Sequence, residues 1–454
     1  MVDLEAAAVN ESQGESLSPF SRIGFVGLAV IVYLLLRYCY IEIISPLYAY
    51  MGLLDKVPSP LIEWAACLIG VLPAFWAPCE AKRPSDFASL LLYFSVVMPM
   101  PLIAIFMAPF GERRALVLSL WIVGSYALFE IVRRGNRFFV PVILDAAWLI
   151  NLAVPLLTVG AIISCLILTK FQFHFSFEDI YERRLDARAI LPGGSLVGYL
   201  LAALKFAFTP IILVLALTRR SFRYIVLAVL AVAAIFSLDG SKDTIFRPLL
   251  LLTAAWIIGK RGKMMGVKTA FGIAAALAIS LFEYAAVGNY FIAGTVIRRQ
   301  LIVPAEMTAY YYDFFSQAGF TYFSDGIVGK ILGWQKFDLA KAPLIGYEYL
   351  GKVESNANAN LWASAYADLG IAGLILVSIL AGVVLRIVDS YDGPYARILT
   401  GILALSFVMV WTQGAFETSL LTGGVLLGLV FLMFWPYKEF SRDGFGPVPE
   451  DVGR

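Results

Sequence analysis

Histidine is nearly absent from this chain, which carries only His174. That scarcity excludes any multi-histidine metal centre. Cysteine is scarce as well. Cys39, Cys67, Cys79 and Cys165 sit in or beside apolar runs with no paired spacing. They read as small apolar packing groups, so neither a disulfide framework nor a zinc site is expected. The most telling shortage is charge. Only 15% of the 454 residues are charged, against roughly 25% in an ordinary soluble domain. A water-soluble chain of this length needs far more polar surface, which excludes a soluble globular enzyme and a disordered protein. The formal net charge of +2 gives no bulk field for DNA or RNA, so no nucleic-acid partner is expected.

What the chain has in place of charge is apolar length. Hydrophobic residues make up 60% of it, and a run of about 20 crosses a bilayer as a helix. About twelve runs qualify by inspection, centred near 24–44, 60–78, 88–109, 115–132, 146–168, 196–217, 222–238, 244–260, 268–290, 364–386, 396–413 and 419–437. The expected fold is therefore all-α, a polytopic membrane protein. Residues 1–19 are acidic and polar, the wrong charge for a signal n-region, and are expected to form a disordered tail. Residues 20–290 hold spans one to nine, with an external loop at 171–195. Residues 291–362 form a large external segment, 363–437 hold spans ten to twelve, and 438–454 form a second tail.

Alternate loops carry the cations: Lys82 and Arg83; Arg133, Arg134 and Arg137; Arg219, Arg220 and Arg223; Lys260, Arg261, Lys263 and Lys268; Arg386 and Arg397; Lys438 and Arg442. The positive-inside rule makes this face cytoplasmic, with both termini inside. Arg113 and Arg114 break the pattern. No internal repeat is visible, which counts against a transporter built from two related halves. The long external segment is expected to be folded and functional.

Four polar clusters interrupt the apolar pattern. In Ser237–Pro248, Gly240 pivots a turn that places Lys242 and Arg247 at the outer membrane level. These are either snorkelling anchors or a site for an anionic head group. In the second, Arg298 and Arg299 precede Pro304 and a run Tyr310–Phe315 that contains Tyr311, Tyr312 and Asp313. Guanidinium matches phosphate oxygens bidentately, and tyrosines suit either an interfacial belt or a wet sugar surface. The third contains Asn356, Asn358 and Asn360, whose amides fit sugar hydroxyls or a helix cap. The fourth, in the smaller loop, holds Arg183, Arg184 and Arg188 near His174, as a solvated face or a further glycan contact. Lys205, deep in the sixth span, is expected to face a polar cavity. Glu283 and Glu417 are possible partners for these cations.

The runs Phe236–Thr244, Arg298–Pro304 with Tyr311–Phe315, Phe320–Asp325, and Ile345–Tyr349 through Asn356–Asn360 resemble those of bacterial oligosaccharide repeat-unit polymerases, the O-antigen polymerases or Wzy family. The resembling stretch covers roughly residues 230–375. The resemblance implies a fold like that of lipid-donor (GT-C-type) glycosyltransferases, in the bacterial inner membrane with the active site facing the periplasm. It implies joining of undecaprenyl-pyrophosphate-linked glycan units into a surface polysaccharide, with release of undecaprenyl pyrophosphate. Membrane lipid and a chain-length co-polymerase (Wzz-like) are the implied partners, and no metal or other cofactor is implied. For such a reaction cations must stabilise the departing pyrophosphate, with Lys242, Arg247, Arg298 and Arg299 as candidates. Asp313 and Asp325 head the candidates for general base, with Glu417 and His174 behind them. Tyr311, Tyr312, Asn356, Asn358, Asn360, Arg183, Arg184 and Arg188 are the expected glycan contacts. An O-antigen ligase and a lipid-linked oligosaccharide flippase are the rivals.

Overall fold

The computed structural model describes residues 19–53, 57–107, 111–138, 149–170, 196–259, 262–351, 357–391 and 396–435. All regular structure among them is helical, as the apolar periodicity requires. Seven helices are long and apolar enough to cross a membrane: Ser21–Met51, Asp86–Phe106, Glu112–Arg133, Ile150–Leu168, Gly198–Arg219, Met265–Val287 and Ile371–Ser390. Pro60–Phe75, Phe222–Leu238 and Arg397–Trp411 are apolar but shorter. The protein is thus polytopic, with seven candidate spans among the described residues where about twelve were expected, and two of the expected runs are divided. The run at 364–386 divides at Gly370, which has φ +62, so Leu361–Leu369 is a separate helix. A Cβ on Gly370 would meet the Phe320 ring at 2.6 Å. The run at 419–437 divides at Gly424, leaving Phe416–Leu421 and Val425–Met433.

Proline shapes the long helices in a regular way. Among the described residues the π-wound turns are Tyr40–Ile44, Tyr93–Val97, Leu149–Ala153, Leu204–Phe208 and Ala293–Ile302. Each lies just before a proline in the first two positions of the next α-helical stretch: Pro46, Pro99, Pro155, Pro210 and Pro304. A proline ring excludes the carbonyl four residues back and donates no N–H. Wider i→i+5 winding satisfies the freed backbone without breaking a helix in an apolar surrounding. Two of these turns carry cations, one Lys205 and the other Arg298 and Arg299.

Contacts sort the helix ends into two sets. At the basic end, Arg83 donates to the carbonyls of Arg133, Arg134 and Gly135. Arg397 donates to Ala81 and Ile258, Arg386 to Asn136, and Gly266 N–H to Cys79 at 2.8 Å. At the other end, Tyr310 reaches Met51, Ser59 reaches Glu112, and Arg114 lies 3.5 Å from Asp313. The ends alternate as the loop charges predict. The exception at Arg114 has a physical reason: Asp313 and the Ser316 hydroxyl, 2.9 Å away, compensate its charge.

A buried cation fastens the basic end. Arg133 is fully buried among Glu130, Asp86 and Asp389, at 2.9, 2.8 and 3.8 Å. Its Nη1 also donates to the Ser85 hydroxyl at 2.7 Å. Three spans, those containing Asp86, Arg133 and Asp389, are fastened there.

Candidate functional site

The residues singled out in the sequence fall into three groups at the end opposite the basic loops. The first is built on the continuous helix formed by Ala293–Ile302 and Val303–Ala318. Arg298 is buried at 7% exposure. Its guanidinium lies 4.2 Å from the Tyr48 ring centroid, and Nη1 approaches Met51 Sδ at 3.4 Å. Nε has no hydrogen-bond partner among the described residues. The Tyr310 hydroxyl donates to the Met51 carbonyl at 2.7 Å, over Gly52. Gly52 has φ +83, and a Cβ there would strike the Tyr310 hydroxyl. Tyr310 stacks on Tyr349 at 4.3 Å, and the Tyr349 hydroxyl donates to Asp313 Oδ2 at 2.8 Å. Burial and that bond push the Tyr349 phenol well up. Gln317 and Arg114 complete the surroundings of Asp313. Arg298 and Asp313 are therefore joined by a chain of ring and hydrogen-bond contacts, while Arg299 is exposed on the next position.

The second group centres on Lys341, a residue the sequence did not single out. Its Nζ lies 2.7 Å from Asp368, 3.3 Å from Glu417 and 3.6 Å from Asp325, and its backbone N–H donates to Asp325 at 2.9 Å. Thr321 makes a very short bond to Asp368, and Phe323 N–H donates to the same oxygen. Tyr322 and Phe323 both have positive φ, a strained conformation for side chains of this size. Burial alone would lower the Lys341 ammonium, but Asp368, Glu417 and Asp325 outweigh it and hold it above its ordinary value. Burial pushes Asp368 up to about 6 against the pull of Lys341. Asp325 thus has a lysine to neutralise, and Glu417 pairs with Lys341 in place of the cations expected for it. Glu283 accepts from Ile292 N–H.

Losing the Lys341 ammonium would strand Asp368, which has no exposed surface. Breaking one partner of a buried pair costs about 3–5 kcal/mol. Lys341→Met is expected to lower the melting temperature in detergent and to make the 319–326 loop protease-sensitive. Unchanged melting and cleavage would show that the loop is held by other contacts.

The third group is Lys205, Asp243 and Arg247. Asp243 accepts from Arg247 at 2.9 Å and lies 3.5 Å from Lys205, and Phe206 lies under both cations. The enclosed space beside them, lined also by Thr209 and Thr244, is about 10 Å³, the volume of a single water. Lys205 thus borders a space too small for a pyrophosphate. Arg247 Nη1 has no hydrogen-bond partner among the described residues. Lys242 begins this helix, and its side chain lies outside the described residues.

The expected glycan contacts divide. Tyr311 is buried, with its hydroxyl on the Ala357 carbonyl at 3.0 Å, and no ring face is left for a sugar. Asn360 is a helix cap and brace. Its oxygen accepts from Trp362 and Ala363 N–H, and its amide donates to Pro304 and Thr308. Every polar atom of that side chain is used within the fold. Asn358 is exposed, and Tyr312 is half-buried against Tyr366 with Arg114 5.7 Å from its ring. Asn356, Arg183, Arg184, Arg188 and His174 lie outside the described residues. Exposed rings occur elsewhere: Tyr322 and Trp334 stack at 6.3 Å, beside Lys336. Lys341, Asp368 and Glu306 escaped the sequence reading, though charged residues beside apolar spans were the available signal. Asp368 was hidden inside an assumed span. No protein-family model, no characterised protein and no solved structure matches this chain, so its functional reading rests on these three groups of residues.

Proposed function

We propose that the protein is a membrane glycosyltransferase that joins lipid-pyrophosphate-linked oligosaccharide units, with Arg298 and Arg299 receiving the pyrophosphate. The observation that carries this is Arg298: a buried cation at the end opposite the basic loops, held by a ring and a thioether, with Nε unpartnered among the described residues. Such a group favours an anion arriving at the membrane surface, and its strength grows as water is excluded. Asp313 is the proposed base for the acceptor hydroxyl, since the Tyr310–Tyr349 contact joins it to the Arg298 surroundings. The acceptor oxygen would form a bond to the donor sugar C1 as the C1–oxygen bond to pyrophosphate breaks. The acceptor proton would pass to Asp313, and the charge left on pyrophosphate would lie against the arginines. A single displacement of this kind inverts the anomeric centre. Tyr322 and Trp334 offer the exposed rings that the buried Tyr311 does not.

Within this proposal the remaining shorter helices complete twelve crossings of a GT-C-like fold in the bacterial inner membrane. The basic end faces the cytoplasm and the three-group end the periplasm. A chain-length co-polymerase is the proposed partner, and the product is a surface polysaccharide. The test is reconstitution: purified protein in lipid vesicles with undecaprenyl-pyrophosphate-linked repeat units. A ladder of lengthening products is expected. Transfer only to a lipid A core would favour the ligase, and movement of intact units across the bilayer without elongation would favour the flippase.

A further inference from the structure

Glu306 is a buried acid that the proposed reaction does not use. It has no exposed surface, and neither carboxyl oxygen has a hydrogen-bond partner among the described residues. Buried polar atoms are nearly always partnered, so a doubly orphaned carboxyl is an outlier that calls for a cause. Arg298 Nε is orphaned in the same helix. Residues 298 and 306 stand eight positions apart across the join between π and α winding. Two turns separate them, so they share a face.

An ionised Glu306 would offset the charge of Arg298. Burial instead pushes the Glu306 carboxyl up to about 8, against the pull of Arg298 and Arg299. At neutral pH the carboxyl is uncharged, and the guanidinium charge is left for a ligand. Tyr310, one turn on, feels Glu306 in return. Among the titratable groups on the packed elements, Asp313 is engaged with Arg114 and Tyr349, Asp368 with Lys341, and the Tyr93 hydroxyl with the Gly70 carbonyl.

We infer that Glu306 is the proton-carrying partner of an oxyanion site at Arg298, which takes a phosphate-class anion when Glu306 is protonated and releases it when Glu306 ionises. The inference deepens, and rests on, the reading of Arg298 as the pyrophosphate-binding residue. An anion near a carboxyl disfavours its ionisation. By thermodynamic reciprocity, protonation of the carboxyl then strengthens anion binding by the same factor. The only bond involved is the Glu306 O–H, whose proton is exchanged with solvent. Glu306 acts here through Arg298, as a positioning residue.

The test uses the full-length protein in lipid nanodiscs. One arm titrates a prenyl-pyrophosphoryl sugar, a diester with no titrating phosphate near neutrality. The other titrates inorganic sulfate, so the two arms separate a lipid-borne oxyanion from a free one. If only the protonated site binds, affinity for the diester falls about ten-fold between about pH 7 and about pH 9. Calorimetry in two buffers of different ionisation heat should show proton uptake with binding. Glu306→Gln should bind with the wild-type neutral-pH affinity and lose the pH slope. Folding gives a second readout. The native carboxyl titrates above its ordinary 4.5, so its contribution to stability is present below that value and is lost as pH rises through about 8. Glu306→Gln should therefore melt higher than wild type at alkaline pH. Binding that is flat with pH, or an equal slope in Glu306→Gln, would overturn the inference alone. Failure of both anions to bind at any pH would overturn the reading of Arg298 with it.

Discussion

Under the proposed function, Arg298→Ala is expected to slow elongation of lipid-linked units by about 100-fold to 1000-fold, the range found when a single preorganised donor to a developing anion is removed. The argument is one of cost. Arg298 is buried with Nε unpartnered among the described residues, and an unmade hydrogen bond of this kind costs about 1–3 kcal/mol. The Tyr48 ring contact at 4.2 Å returns part of that. A residue retained only for folding would have found its partners. The discriminating readout is therefore stability alongside activity. Arg298→Leu should leave the melting temperature unchanged or raise it, while the product ladder disappears. Arg298→Lys keeps the charge but loses the planar fork and the ring contact, so it should recover only a minor part of the rate. A normal ladder from Arg298→Ala, or an unfolded Arg298→Leu, would remove Arg298 from the reaction.

The largest expected effect on folding lies at the other end of the molecule. Arg133→Leu should destabilise by about 3–5 kcal/mol, the cost of leaving partners of a buried ion pair uncompensated. Arg133 has no side-chain exposure, and Glu130, Asp86 and Asp389 around it have 3%, 8% and 0%. Ser85 and Ser89 fill much of what the carboxylates leave, Ser89 through a very short bond to Glu130. Removing the guanidinium would therefore strand charges on three spans at once. The measurement is the detergent melting temperature with the yield of monodisperse protein. Arg133→Lys should be intermediate, since an ammonium keeps the charge without the fork that serves Glu130 and Asp86 together. A leucine variant that melts with wild type would show that the network is not what fastens the spans. Arg298 and Arg133 thus make opposite predictions from similar burial: one is incompletely partnered and the other is surrounded by carboxylates.

Much of the membrane character was legible before the structure. Apolar run length gave the helical, multi-pass character, though seven candidate spans stand among the described residues where about twelve were expected; the contacts of Arg83 and Arg397 gather two of the cation-bearing loops at one end. The five π-wound turns were legible in principle too, because each lies just ahead of a proline within a long apolar run. Arg298 could be marked because two adjacent arginines stood where positive charge is disfavoured. Tyr311 was misread because one tyrosine in a row of three cannot be told from its neighbours by type; helical periodicity turns Tyr311 inward and Tyr312 toward the surface. Asn360 was read with Asn356 and Asn358, although the position just ahead of a helix selects the side chain that caps it.

By itself the sequence determined the medium and the helices, because burial of apolar length and satisfaction of backbone hydrogen bonds are local demands that each segment meets alone. It also confined candidate chemistry to a few cations, since charge is so sparse. Only the tertiary structure decided which charges neutralise one another. Lys341 lies 27 residues from Asp368 and 76 from Glu417 along the chain, and Arg114 is 199 from Asp313. Such pairings depend on how the helices pack, and no local pattern encodes them. The same packing left Arg298 Nε and the Glu306 carboxyl without hydrogen-bond partners among the described residues, and that shortage, visible only in three dimensions, is the ground on which we propose a ligand there.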